Sequence, residues 1–136
     1  MIYAYIIGLT IGLTVSQNVQ FGHIGLKSDE LKNIMLNQNM EFYFNKEIDL
    51  KKGKVIKYEN EEKTKTLLYV FDKQNCCRYY VIIYDYIYLD EITIDLDNNH
   101  EKIDDNIWIE NLNDQKFEII LKKEDWFFSI ITKKVE

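Results

Sequence analysis

Arginine occurs once in this chain, at Arg78, and proline not at all. Binding a nucleic-acid backbone calls for a concentrated positive face, usually with arginine for two-pronged phosphate contacts. Here the lysines are interleaved with acids: Lys51, Lys52 and Lys54 follow Glu47 and Asp49, and Lys122 and Lys123 precede Glu124 and Asp125. The net charge is −6. Nucleic acid is therefore not an expected partner, whereas a basic partner could be steered by the acidic surface. Serine is also scarce, at Ser16, Ser28 and Ser129, and histidine occurs only at His23 and His100. No Gly-x-Ser-x-Gly, no HExxH and no phosphate-cradling glycine loop is present. No nucleophile–base set is visible, and no catalytic residue and no cofactor are expected.

The two cysteines are neighbours, Cys76-Cys77, in DKQNCCRYYVIIY. On a strand their side chains point to opposite faces. Strict alternation puts Cys77, Tyr79, Val81 and Ile83 on one face, with Cys76, Arg78, Tyr80, Ile82 and Tyr84 on the other. There is no third cysteine, and tetrahedral zinc wants Cys-x-x-Cys spacing with further ligands. Packing is the expected role of both thiols. The acidic run Asp95–Asn106 invites a calcium reading, with Asp95, Asp97 and Asn99 at the first alternating positions of an EF-hand loop. His100 stands where the loop needs glycine and Asn106 where it needs a bidentate glutamate. The expectation is a solvated turn leading into a strand, with no metal bound.

What the chain does have is apolar and aromatic residues. Its 136 residues suit one domain, and 46% apolar with 29% charged residues suits a packed globule. Met1–Val15, MIYAYIIGLTIGLTV, carries no charged side chain and stops at Ser16-Gln17-Asn18. It reads as the apolar part of a signal peptide over 1–16, with Thr14 and Ser16 small enough to precede a cleavage site. The basic residue that usually opens such a segment is missing. The same run alternates like a buried strand, which is the competing reading. It is too short for a transmembrane span, which takes about 20 residues. The first reading implies a periplasmic or secreted protein with one domain over 17–136.

Along that domain, Leu31, Ile34 and Met35 fall at helical spacing after Ser28, a fair cap, with Asp29 and Glu30 in the first turn. This predicts a helix over 28–38. Strands follow at 40–44, 55–60, 66–72 and 76–84, with KKGK and DKQN as turns. The stretch 86–99 fits either a strand or a helix, because Leu89, Ile92 and Leu96 also make a helical stripe. Strands at 101–111, 115–123 and 126–134 end the series. SDELKNIMLNQNMEFYF lines up in pattern with LDEITIDLDNNHEKIDDNIWI. That favours a helix at 88–98 and a diverged helix-plus-strands repeat. The expected fold is α+β: an antiparallel sheet of about six strands with two helices packed on one face.

At IGLKSDELKNIM, the glycine, apolar residue, polar cap and striped helix resemble the opening of SmpA/OmlA-like and β-lactamase-inhibitor-like envelope domains, with Gly25, Leu26, Ser28, Leu31 and Ile34 in matching places. The chain is also similar to small signal-bearing bacterial proteins. It lacks the lipid-bearing cysteine and the Gly-x-Pro that often closes the helix. The resemblance implies binding within the envelope rather than catalysis. The expected function is a non-enzymatic, exported module working by protein contact, of immunity or inhibitor type, with a protein partner in the envelope. Tyrosines outside the core suit recognition, so Tyr80 and Tyr84, with Arg78 beside them, are the candidate contact residues. The alternative is a small enzyme or metal protein using the Asp95–Asn106 stretch, with His100, Asp104, Asp105 and a cysteine at its site.

Overall fold

In the computed structural model, residues 20–38 and 41–136 are described. The expected signal peptide at 1–16, and the competing strand there, lie outside those residues. Helix α1, Ser28–Asn37, leads into strands β1 (Phe42–Leu50), β2 (Gly53–Asn60), β3 (Lys65–Phe71) and β4 (Cys77–Asp85). A 3-10 turn, Tyr86–Tyr88, and helix α2, Leu89–Asn99, lead into β5 (Glu101–Asp104), β6 (Ile107–Leu112), β7 (Gln115–Lys123) and β8 (Phe127–Lys134). All eight strands form one sheet in the order β1-β2-β3-β4-β8-β7-β6-β5, every neighbouring pair antiparallel.

The expected α+β fold of about six strands is thus corrected to a largely β fold of eight strands with two short helices. One reason is local. The stretch 101–111 is two strands, not one, because Asn106 takes a left-handed φ of 62° and turns the chain. With few glycines and no proline, asparagine and aspartate supply several of the turns. Asn113 and Asp114 both have positive φ (53° and 63°), the pattern of the two-residue turn that suits a twisted hairpin. Asn75, at φ 63°, closes the β3–β4 turn, where the Asp72 carboxylate accepts from the Gln74 and Cys76 N–H groups at 2.9 and 3.0 Å. At the β2–β3 turn the buried Asn60 accepts from the Thr64 and Lys65 N–H groups, both at 2.9 Å, and donates to the Thr64 hydroxyl.

Helix α1 begins at Ser28, as expected, but Ser28 is not its cap. The cap is Lys27, whose N–H donates to the Glu30 carboxylate at 3.1 Å, and the Ser28 hydroxyl is buried. Leu31 and Met35, four apart, put one stripe into the core. In α2 the stripe is Ile92 and Leu96, which settles the ambiguous stretch as a helix. Both helices pack on the same face of the sheet. Under α1 lie Ile56, Tyr58, Leu67, Tyr69, Phe71, Cys77, Tyr80 and Ile82. Under α2 lie Trp108, Phe117, Ile119, Leu121, Phe128 and Ile130. Ile24 and Tyr84 touch both clusters and join them into one layer.

Candidate functional site

Because side chains alternate across a strand, the register that fills the helix side also fixes what lies on the other side. One row there runs across five strands: Leu68 opposite Val81, Val81 opposite Ile131, Ile131 opposite Ile120, and Ile120 opposite Ile107. A second row runs from Ile48 through Val55 and Val70 to Tyr79, then to Lys133, Glu118 and Ile109. Lys133 and Glu118 form an ion pair at 3.5 Å. A third row, Tyr43, Glu59, Thr66, Ile83, Ser129 and Lys122, is mostly polar. The core side chains of both helices enter clusters on the opposite face. The first row is apolar and half-buried throughout, and neither described helix covers it.

Of the expected contact residues, Tyr80 is 3% exposed and lies in the core under α1, its ring 5.7 Å from that of Tyr69. Tyr84 stacks on Phe128 with ring centroids 5.2 Å apart, at the seam between the clusters. Burial pushes both phenols well above their ordinary range. The side expected to hold recognition tyrosines is the covered side, and its neighbours Val81 and Ile83 lie on the uncovered one. Arg78 is exposed, with Asp72 and Glu136 carboxylates at 3.7 and 3.9 Å.

Cys77 packs in the core under α1, though not as strict alternation has it, while Cys76 is half-buried and outside the core clusters. Phe71 pairs with Cys77 and Val70 with Tyr79, so a bulge at Arg78 gives β4 one extra residue. The bulge turns Cys77 to the core side, with Tyr80 rather than Tyr79. Its N–H donates to the Leu26 carbonyl at 2.8 Å and its carbonyl accepts from Gly25 at 2.7 Å, pinning the loop before α1 to β4. Burial pushes the Cys77 thiol up to about 12, far from the thiolate that nucleophilic or metal chemistry needs. Both cysteines are free.

The acidic run does not form an ion-binding loop. Asp95, Asp97 and Asn99 lie on α2, where Asn99 donates to the Asp95 side chain at 2.8 Å and Asp97 accepts from the Trp108 indole at 3.0 Å. His100 Nδ1 lies 2.7 Å from Glu110, and Asp104 accepts from the Asp105 N–H in the β5–β6 turn. Asp95, Asp97 and Asp104 are thus engaged in holding α2 and the turn. Among the described residues no group of three or more histidines, cysteines or acids could hold a metal ion.

Two features escaped sequence reasoning. His23 is buried, its Nδ1 2.9 Å from the Tyr69 hydroxyl, and burial lowers its pKa. Beside β1, a cleft of about 680 Å³ opens between that strand and α1, lined mainly by Met35, Leu36, Phe42, Phe44 and Tyr58, with Lys32 at its edge. Burial, then the Glu47 carboxylate, pushes the Tyr58 phenol up to about 12. Lys32 bridges to Glu47 at 2.6 Å. Among the described residues no helix is long and apolar enough to cross a membrane. Comparison with known proteins gives no match to a family model, to a curated protein or to a solved structure.

Proposed function

We propose that the chain is a non-enzymatic protein-binding module of the cell envelope, exported by its apolar leader and acting by contact in the manner of an immunity or inhibitor protein. One observation carries this reading: the continuous apolar row Leu68–Val81–Ile131–Ile120–Ile107 on the face that the helices leave uncovered. Apolar surface left in water costs about 25 cal/mol per Å², and contiguous apolar patches of this kind mark interaction sites. The contact residues under this reading are Leu68, Val81, Ile120 and Ile131, with Tyr80 and Tyr84 supporting the sheet from behind. The partner is a folded protein presenting its own apolar patch.

The test is a photo-cross-linking amino acid placed at Val81, with a control at the exposed Asp105 turn, in cells fractionated into cytosol and envelope. The reading expects an envelope adduct of defined mass from Val81 only, abolished by Ile131→Lys. No adduct, or the same adducts from both positions, refutes it. An adduct of twice the chain's mass replaces the partner with a second copy.

A further inference from the structure

The two edges of the sheet are unlike. β5 is four residues long and carries Glu101, Lys102 and Asp104. A short, charged edge resists pairing with another chain. β1 is nine residues long, and every residue after Phe42 is exposed. Its outer N–H and C=O groups face no strand among the described residues. Large apolar side chains gather there: Leu36 is 82% exposed, Tyr43 62% and Phe44 56%. The 680 Å³ cleft lies alongside.

We propose that β1 is a docking edge for an extended, basic segment of another protein, added as a ninth strand, with one apolar side chain seated in the cleft and a lysine or arginine beside Asp49. This goes beyond the sheet-face reading and stands without it. Main-chain hydrogen bonds along an open edge supply affinity, and pockets for alternate side chains supply selectivity.

Charge decides the occupant. Phe42, Phe44, Glu47 and Asp49 pair with Asn60, Tyr58, Ile56 and Lys54, so all four share the helix side of the sheet. An added strand meets aromatic rings at one end of that side and two carboxylates at the other. Glu47 is held by Lys32 at 2.6 Å and Lys54 at 3.3 Å. Asp49 is the carboxylate left to a partner. A second copy of β1 cannot satisfy it. The one cation within β1, Lys46, pairs with Lys57 and points to the other face, so an antiparallel second copy of β1 does not bring it to Asp49. Opposite charges across a strand pair are favourable, and a net charge of −6 draws in a basic segment.

The test uses the full chain and three ten-residue β-forming peptides. In one, the side facing the helices carries a phenylalanine followed by lysines. The second has glutamates for the lysines. The third is the lysine peptide N-methylated at alternate amides. Fluorescence anisotropy reads binding, and amide hydrogen exchange reads protection of residues 42–50. The lysine peptide should saturate and bind roughly tenfold tighter than the glutamate peptide, the scale of one charge pair. N-methylation should abolish binding, protection should rise at 42–50, and Asp49→Lys should reverse the peptide preference. Equal binding of the two charged peptides overturns the proposal, as does binding of the N-methylated one or no saturation at millimolar peptide. Dimerisation with protection at 42–50 overturns it too, by giving the edge to a second copy. Ile131→Lys should leave peptide binding unchanged, so this proposal and the sheet-face reading fail separately.

Discussion

Ile130 and Ile131 are chain neighbours on β8 that face opposite sides of the sheet, and they give the sharpest test of the two-faced architecture. Ile130 lies in the cluster under α2. Truncation to alanine there removes three carbons at about 0.8 kcal/mol each. The cavity left behind adds to this, so Ile130→Ala should cost about 3 kcal/mol. Ile131 is half-buried in the apolar row and no helix closes over it. Ile131→Ala should cost roughly 1 kcal/mol, because little packing is lost. Lysine widens the gap. At 130 the ammonium would have to enter the core, costing roughly 4 kcal/mol or more of the 5–15 a small domain has. At 131 the stem lies along the face with its charge in water, for roughly 1 kcal/mol. Urea unfolding followed by circular dichroism and by the fluorescence of the buried Trp108 reads all four variants. If Ile131→Lys destabilises as much as Ile130→Lys, the outer face is covered within the chain, and the interaction reading fails with it.

Two further outcomes follow from single residues. Gly53 sits at φ +134°, and a Cβ there would lie 1.9 Å from the Phe71 carbonyl oxygen, so Gly53→Ala should cost about 2 kcal/mol or more; an unchanged urea midpoint would show that the β1–β2 turn does not need glycine. The Cys77 thiol stays protonated in the folded chain up to about 12 but ionises near 9 when unfolded, so its contribution is full below pH 9 and falls as pH rises through that window. Between pH 8 and pH 10 the wild type should lose about 1.4 kcal/mol more than Cys77→Ala; equal losses would mean that Cys77 is not held in the core.

Much of this architecture was legible in the sequence. The β3–β4 hairpin announces itself in TLLYVFD and CCRYYVIIY around DKQN, and the spacing of Leu31 and Met35 shows the first helix, whereas Ile92 and Leu96 fit a helix or a strand and only the likeness of the two halves favours the helix. The strand count was not legible, because Asp105-Asn106 interrupts 101–111 with no glycine or proline to mark the turn. The second half of β1, KEIDL, lies beyond the strand expected at 40–44, since an exposed edge needs no apolar alternation to mark it. The facing of β4 was hidden for two reasons. Tyr80, Ile82 and Tyr84 can fill a core as Val81 and Ile83 can, so composition cannot say which set the helices cover. The bulge at Arg78, which decides where Cys77 points, is set by pairing with β3 rather than by residues in β4. The β1 cleft needs a helix and a strand brought together, so no local pattern marks it.

The central position of β8 bears on how the sheet assembles. Each helix leads into four strands, and within the described sheet the halves are hydrogen-bonded only where β4 pairs with β8, from Tyr79–Lys133 to Asp85–Phe127. The latest of the eight strands in chain order therefore fills the middle of the sheet, between β4 and β7. During synthesis, β1–β4 and β5–β7 can each form as meanders from local contacts, and both must wait with an open, apolar inner edge. Arrival of β8 closes two edges at once and turns two marginal half-sheets into one cooperative unit, so the slow, long-range contacts of folding are concentrated in a single strand.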